Sequence, residues 1–257
     1  MAAESVQSNP DYGIDAPGLV RFFFGAGTVS LVLLLVVLFS SILGQTPKIA
    51  VSTLLGMTAT YLLGMGCFML YGSKVMKLKD RDKLLNLVQW SGYELVLDVG
   101  CGRGLMMIGA ANRLTTGKAI GIDVWQQHDQ ASNSAAAALS NAATEGVTER
   151  VEVKTADMRQ LPFPANYFDV VLSSWAVHNI EAESDRRKAL DEIVRVLKPN
   201  GTVVLSDIVY QVEYANYFEH HGMTNVQLHN NSIRDLGLKA VTFGSFAPSA
   251  VSACKRA

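Results

Sequence analysis

The sequence predicts an α/β domain built on a mostly parallel sheet and preceded by two apolar helices. Three observations predict it. Beyond residue 93, β-like apolar runs alternate with helical stretches, and the stretch 96–104, VLDVGCGRG, joins the first run to the first helix through a glycine-dense turn. Ahead of both, no charged residue occurs from Phe22 to Pro47 or from Ile49 to Ser73.

Each uncharged stretch is about 25 residues long, enough for a helix to cross the roughly 30 Å hydrocarbon core of a bilayer. The run VSLVLLLVVLFSSIL is apolar all round, without an amphipathic stripe. A cleaved signal peptide would begin with a basic region, which the start of this chain lacks, and it would leave the second stretch unexplained. In LLGMTATYLLGMG, small residues at Gly56, Ala59 and Gly64 are the expected close-packing face. The link QTPK is short, so the two spans should form a hairpin. One charge, Lys48, lies in that link, whereas Lys74, Lys77, Lys79, Arg81 and Lys83 crowd the exit. The positive-inside rule then puts the N-terminus and the large C-terminal part in the cytoplasm. The expected organisation is an N-terminal segment 1–18, a hairpin 19–73 and a soluble domain 74–257.

Within that domain, DRDKLLNLVQWSG reads as a short amphipathic helix with Leu84, Leu85, Leu87 and Val88 inward. Strands are expected at 94–99, 118–123, 150–155, 168–174 and 201–207, with helices at 104–114, 129–145, 185–197 and 212–221. Such alternation implies a parallel sheet with helices on both faces. The C-terminal stretch after residue 224 holds two β-like runs with no helix between them, which predicts a hairpin with one antiparallel strand.

Composition removes several function classes. With 22 Lys and Arg against 23 Asp and Glu, the formal charge is −1, and nothing favours nucleic acid as a partner. Cys67, Cys101 and Cys254 stand far apart, without the spacing of a zinc site or a disulfide framework, so no metal is expected.

Ligands of parallel α/β sheets bind beyond the carboxyl ends of the strands. Those ends are Asp98–Gly104, Asp123–Gln127, Asp157–Met158, Ser173–His178 and Asp207–Tyr210, and four of the five carry an acid. The glycines, which could serve a phosphate, a nucleoside or a neighbouring helix, are spaced G-x-G-x-G. A dinucleotide fingerprint would need glycine where Leu105 stands, and no Gly-Lys-Ser/Thr of a phosphate loop occurs. Asp98 would repel a phosphate but suits an ammonium group; Asp123 suits the hydroxyls of a ribose. Asp157 suits an exocyclic amine, with Met158 against a purine face. Amino acid, ribose and adenine together describe S-adenosylmethionine.

The segments VLDVGCGRG, AIGIDVW, TADMRQLPFPANYFDVVLSS and RVLKPNGTVVLSDI resemble the successive motifs of class I S-adenosylmethionine-dependent methyltransferases, most closely the branch acting on ubiquinone, sterols and other small molecules. The resemblance spans roughly residues 86–257. It implies a Rossmann-like, doubly wound seven-stranded sheet. It also implies that Asp98, Gly100, Gly102 and Gly104 line the methionine moiety, Asp123 the ribose, and Asp157 and Met158 the adenine. Trp125 or Gln126 would add a contact near the ribose or adenine, and Ser173 one at the end of the fourth strand.

Methyl transfer to an OH, a protonated amine or an acidic carbon is helped by a general base. In SSWAVHNI the resemblance places the acceptor end of the site, and His178 is the base candidate, the alternative being a backbone partner at a loop turn. Trp175 is an acceptor wall or helix packing; Tyr210 and Tyr214 flank the pocket or lie on a helix surface. DYGIDAPG, 11–18, is a tail, or Tyr12 and Asp15 fold beneath the domain and help to close it. A membrane tether favours a lipophilic acceptor. A protein methyltransferase and a non-catalytic S-adenosylmethionine sensor remain the alternatives.

Overall fold

Strands covered by helices on both faces must be apolar on both faces, and the central strands of this sheet are. In Leu95–Val99 (β1) every residue after Leu95 is buried, Asp98 included. Lys118–Asp123 (β2), Val151–Thr155 (β3) and Phe168–Ser174 (β4) follow in parallel register with their neighbours. Leu197–Asp207 (β5) starts four residues before the expected strand, because Leu197 already pairs with Phe168 ahead of a bulge in the ladder. Thr224–His229 (β6) and Ser249–Cys254 (β7) close the sheet, and β7 runs antiparallel to both β5 and β6. The strand order is β3-β2-β1-β4-β5-β7-β6, the seven-stranded mixed sheet with one antiparallel strand that the sequence predicts. The order of strand addition reverses at β1, with β2 and β3 on one side of it and β4 and β5 on the other.

This computed structural model describes residues 9–126, 133–229 and 248–257. The sheet belongs to a unit comprising residues 9–12, Lys79–Trp125 and the described residues from Asn133 onward. Its helices carry apolar stripes at helical spacing. Leu105–Ala111 (α4) buries every residue from Met106 onward; Glu183–Val196 (α6) buries Ala189, Leu190, Ile193 and Val196. Ala135–Thr144 (α5) opens on Ser134, whose hydroxyl accepts from the Ala137 amide as an N-cap. The part of the expected helix at 129–132 lies outside the described residues. Gln211–His220 (α7) buries Tyr214 and Phe218. The core runs through Leu97, Val99, Ile122, Phe168, Val171 and Val203, with Ile193 and Phe218 packed in from the helices.

A second unit, residues 13–78, holds Pro17–Phe39 (α1) and Gln45–Tyr71 (α2). Both are long and apolar enough to cross a membrane. The link between them is 40–44. QTPK, expected as that link, is the first turn of α2, where Pro47 is tolerated because its missing N–H would have had no partner. Lys48 reaches back, its Nζ donating to the Ser40 carbonyl at 2.9 Å. Beyond α2 a π-helical turn, Gly72–Met76, leads into Lys77–Leu85 (α3), whose Leu85 is buried, as is Val88 just after it.

The packing face between α1 and α2 differs in part from the expected one. Ala59 is buried and Gly56 faces Leu34, but a methyl group on Gly64 would meet nothing within 4 Å. The close approaches are at Gly27, where a Cβ would lie 2.8 Å from the Leu63 side chain, and at Gly66, 3.0 Å from the Phe24 ring. Helical phase explains the exchange. Ala59 and Gly66 are seven residues apart, two turns along one face, whereas Gly64 is rotated off it. Outward, Leu33, Val36, Phe39, Ile49, Leu54 and Met57 are exposed.

Gly27→Ala is expected to lower the thermal unfolding midpoint of the detergent-solubilised chain, at a cost of about 1–3 kcal/mol from overpacking. Gly64→Ala should be neutral or stabilising by up to ~1 kcal/mol, since alanine is the better helix former. Equal effects of the two substitutions would refute this helix contact.

Candidate functional site

The glycine turn lies at the carboxyl end of β1, where the order of strand addition reverses and open α/β sheets place their ligands. Gly100, Gly102 and Gly104 all adopt left-handed backbone, with φ of 71°, 52° and 87°. That conformation strains any residue with a Cβ. At Gly100 space is also closed: an added Cβ would sit 2.3 Å from that of Ala176 and 3.6 Å from Met158 Cε. Thus the first glycine brings the loop against the segments after β3 and β4. The turn is stitched to β2, since the amides of Gly100 and Cys101 both donate to the Ile122 carbonyl at 2.9 Å. The Gly102 amide donates to Asp123 Oδ2 at 2.8 Å.

Asp98 is 1% exposed. Its Oδ2 accepts the Met107 amide at 2.8 Å, while Oδ1 is buried with no hydrogen-bond partner. Burial, and to a lesser degree the Asp123 charge, pushes its carboxyl up to about 7 against the pull of the Met107 amide. A buried acceptor without a donor is costly, and it fits a ligand that brings a donor or a positive charge.

Asp123 Oδ1 accepts from the Trp125 amide at 2.6 Å and from Asn133 Nδ2 at 3.4 Å. Trp125 has φ 61° and donates its indole N–H to Thr155 Oγ1 at 2.8 Å, so the two are fixed together above β2 and β3. Asp157 is gripped by Arg159, whose Nη2 lies 2.6 Å from Oδ2 and which also reaches Asp185 at 3.2 Å. Arg159 holds the Asp157 carboxyl below its ordinary range. Met158 packs on the edge of the core beside Gly100. Ser173 is 2% exposed and donates its hydroxyl to the Val99 carbonyl at 2.8 Å. Its hydroxyl therefore crosslinks β4 to β1, a structural role the strand-end position did not reveal.

The region beyond β4 and β5 is built around Asp207, 1% exposed. His178 Nδ1 abuts Asp207 Oδ1 without the alignment of a hydrogen bond, and the His178 amide donates to Oδ2 at 2.9 Å. The Tyr214 hydroxyl donates to the same Oδ2 at 3.1 Å, and the Gln211 side chain donates to the Asp207 carbonyl. Burial, reinforced by the Asp207 charge, drives the Tyr214 phenol well above its ordinary range, which keeps it a donor. Of these, sequence reasoning selected His178 and placed Tyr214 beside the pocket or on a helix surface; Tyr214 is instead fully buried. Asp207 was legible only as an acid at a strand end, like Asp98, Asp123 and Asp157.

Trp125, Trp175 and Tyr210 share one peculiarity. Each follows a strand, and each has left-handed backbone, at φ 61°, 56° and 69°. Strain of that kind in bulky residues costs of order 1–3 kcal/mol and gathers at functional sites. Trp175 is held by its amide, which donates to the Ser206 carbonyl at 2.8 Å. Tyr210 is covered by the Arg186 guanidinium, 3.7 Å from its ring centroid, which also pairs with Glu213 at 3.0 Å.

Comparison with known proteins agrees with this geometry. Residues 97–205 match the family described as Methyltransferase domain. The chain is 33% identical over 110 residues to a demethylmenaquinone methyltransferase of Symbiobacterium thermophilum, covering 42% of this chain and 40% of that one. It is 29% identical over 128 residues to the sterol 4-C-methyltransferase strm-1 of Caenorhabditis elegans, covering 50% and 35%. The chain spans about half or less of the length of these curated relatives. Among solved structures, a SAM-dependent methyltransferase from Aquifex aeolicus shares the fold, with a TM-score of 0.53 and 22% identity over 70% of this chain and 91% of that one. Residues 97–205 thus match a methyltransferase domain, and the sheet that carries them has the fold of S-adenosylmethionine-dependent methyltransferases.

Asp98 carries a testable pH dependence. Its folded-state value, about 7, lies above the 3.8 of an unperturbed aspartate. The folded chain thus holds this proton more tightly than the unfolded chain. Stability should be fully present below pH ~4 and fall as pH rises through about 7, by on the order of a few kcal/mol. Thermal unfolding of the cofactor-free protein between about pH 4 and 8 should show this fall and its levelling above about pH 7, and Asp98→Asn should flatten it. The same slope in both proteins would show that Asp98 is not its source.

Proposed function

We propose that the chain anchors in a membrane through α1 and α2 and transfers a methyl group from S-adenosylmethionine to a small, lipophilic acceptor, with His178 as general base. One observation carries this reading. A buried carboxylate with an unpartnered oxygen, Asp98, ends β1, and an imidazole backed by a carboxylate, His178 on Asp207, follows the adjacent strand β4.

The residues fit the cofactor. Asp98 Oδ1 would take its ammonium, with the side-chain-free backbone of Gly100, Gly102 and Gly104 alongside. Asp123, beside Trp125, would take the ribose; its oxygens accept from amides in this structure and retain lone pairs for hydroxyls. Met158 would lie against the adenine, and Asp157, oriented by Arg159, would accept from its amine. When bound, the cofactor supplies an electrophilic methyl group on a sulfonium.

The protein's own part is positioning and proton transfer. Nδ1 makes no hydrogen bond, but the Asp207 charge beside it favours the tautomer with its proton there, which leaves Nε2 as the basic nitrogen. His178 Nε2 then takes the acceptor's proton, and Asp207 stabilises the imidazolium that results. Tyr214 and the His178 amide hold the carboxylate in place, so the ring loses little further freedom when it acts.

The membrane and the acceptor class rest on the second unit. Its exposed apolar residues would be costly in water and are at home among lipid tails. With basic residues past α2, the charge rule puts the methyltransferase domain on the cytoplasmic side. A site tethered there meets acceptors dissolved in the bilayer; the similarity to a sterol methyltransferase is consistent with such chemistry.

Membranes containing the full chain, given methyl-labelled S-adenosylmethionine, should place label in the lipid-extractable fraction, and mass analysis would identify the acceptor. His178→Ala should slow that transfer by about 10²–10⁴-fold while leaving cofactor affinity unchanged. Label confined to protein would point to a protein substrate instead, and label nowhere would refute catalysis.

A further inference from the structure

Residues 9–12 belong to the unit that holds the sheet, and Asp11 and Tyr12 are fastened to it by a dense set of bonds. Asn141 of α5, 4% exposed, pairs with the Asp11 backbone in both directions. The Asp11 amide donates to Asn141 Oδ1 and Asn141 Nδ2 donates to the Asp11 carbonyl, each at 2.9 Å. The same Nδ2 donates to the carbonyl of Arg103 at 2.9 Å. Arg103, the fourth residue of the G-x-G-x-G turn, closes the circle. Its Nε donates to the Asp11 carbonyl at 2.6 Å and its Nη2 to Asp11 Oδ2 at 3.0 Å. Next in the chain, Tyr12 is 4% exposed and donates its hydroxyl to Glu145, the residue that ends α5. Glu145 also accepts from Asn112 at 2.6 Å and pairs with Arg81 at 3.5 Å.

We propose that Asp11, Arg103 and Asn141 form a latch that holds the glycine turn in its cofactor-binding conformation, making Asp11 and Asn141 positioning residues for S-adenosylmethionine. The inference rests on the reading of that turn as the cofactor's cradle. The physical need is specific. Three glycines give the turn wide backbone freedom, and that freedom must be lost when a ligand is bound. Gly100, Cys101 and Gly102 are tied to β2 through Ile122 and Asp123. Arg103 is tied instead to Asp11 and Asn141, through both its side chain and its carbonyl, so the second half of the turn depends on the N-terminal segment. Preordering the turn moves the entropic loss from binding to folding and raises affinity without any contact to the ligand. Deletion of everything before residue 74 would therefore remove the latch along with the apolar helices.

The test uses the full chain in detergent micelles. Titration calorimetry with S-adenosylmethionine should show Asp11→Ala weakening affinity by about fivefold, and Arg103→Ala by about tenfold, given that ion pairs at half-exposed sites are modest in strength. The double variant should bind no more weakly than Arg103→Ala alone, since the two residues act through one bond system. Thermal midpoints should stay within about 2 °C of the unaltered chain, because Asp11 is exposed and each change is local. Independently, amide exchange at Gly102 and Gly104 without cofactor should quicken in Asp11→Ala, a readout that general loss of stability would spread over the sheet instead. An unaltered chain that binds S-adenosylmethionine alongside variants that bind equally well would overturn the latch. So would additive losses, or losses that follow a fall in the thermal midpoint. An unaltered chain that fails to bind would overturn the cofactor reading itself.

Discussion

A turn without side chains has to be held by something other than packing, and the bonds between the glycine turn and β2 do this. Ile122 offers one carbonyl to two successive amides, and Asp123, the next residue, takes the Gly102 amide on its carboxylate. Because β2 pairs with β1 from Leu95 to Val99, the end of β2 stands beside the point where β1 gives way to the turn. The path of the turn is thus imposed by strand register. Its left-handed glycines permit that path, and Asp98, with Oδ2 on the Met107 amide, links the last turn of β1 to the start of α4. Ala176 and Met158 pack against Gly100 in the path so fixed.

Across β1 the same problem is solved with side chains. Asp207 is buried at the end of β5, accepting bonds from the His178 amide, the Tyr214 hydroxyl and the Ile208 amide, with the His178 ring against it. A buried carboxylate so fully surrounded by donors gains more in charge-assisted bonds than an isolated one, and it rigidifies what it touches. Trp175 and Tyr210 add strained backbone on either side of this group. The Ser206 carbonyl fixes the first, and the Arg186 guanidinium stacked on the ring covers the second. The sheet unit is therefore most tightly specified at the carboxyl edges of β1, β2, β4 and β5.

Most of the α/β unit was legible because its physics is local. Strands with every position apolar, helices with a stripe, and glycines that follow an acid all announce themselves within ten residues. The antiparallel edge was legible as well, since two β-like runs with no helix between them leave only a hairpin. What escaped notice depends on partners far apart in the chain. Ser173 reads as a strand-end hydroxyl, and only the pairing of β4 with β1 shows that it faces the Val99 carbonyl. Arg103 reads as an arbitrary x in G-x-G-x-G, and its partner Asp11 lies 92 positions earlier. Gly64 and Gly66 are equally small; their difference is helical phase relative to α1, and that phase follows from which face of α2 meets Phe24 and Gly27.

The four acids at strand ends are each compensated differently. Asp157 is neutralised by Arg159, and Asp207 faces His178. Asp123 is satisfied by amides, which stabilise its charge without cancelling it. Asp98 alone among them keeps a buried oxygen without a donor, at a depth where charge is poorly solvated. A phosphate brought to this turn would meet the Asp123 carboxylate, a buried Asp98 whose ionisation it would oppose, and a turn whose Arg103 guanidinium is engaged by Asp11. A ligand carrying an ammonium group and a ribose would relieve both carboxylates at once. The glycine turn resembles a nucleotide cradle in backbone shape, but its unmet demand is for donors and positive charge, which an aminoacyl nucleoside would answer and a dinucleotide would not.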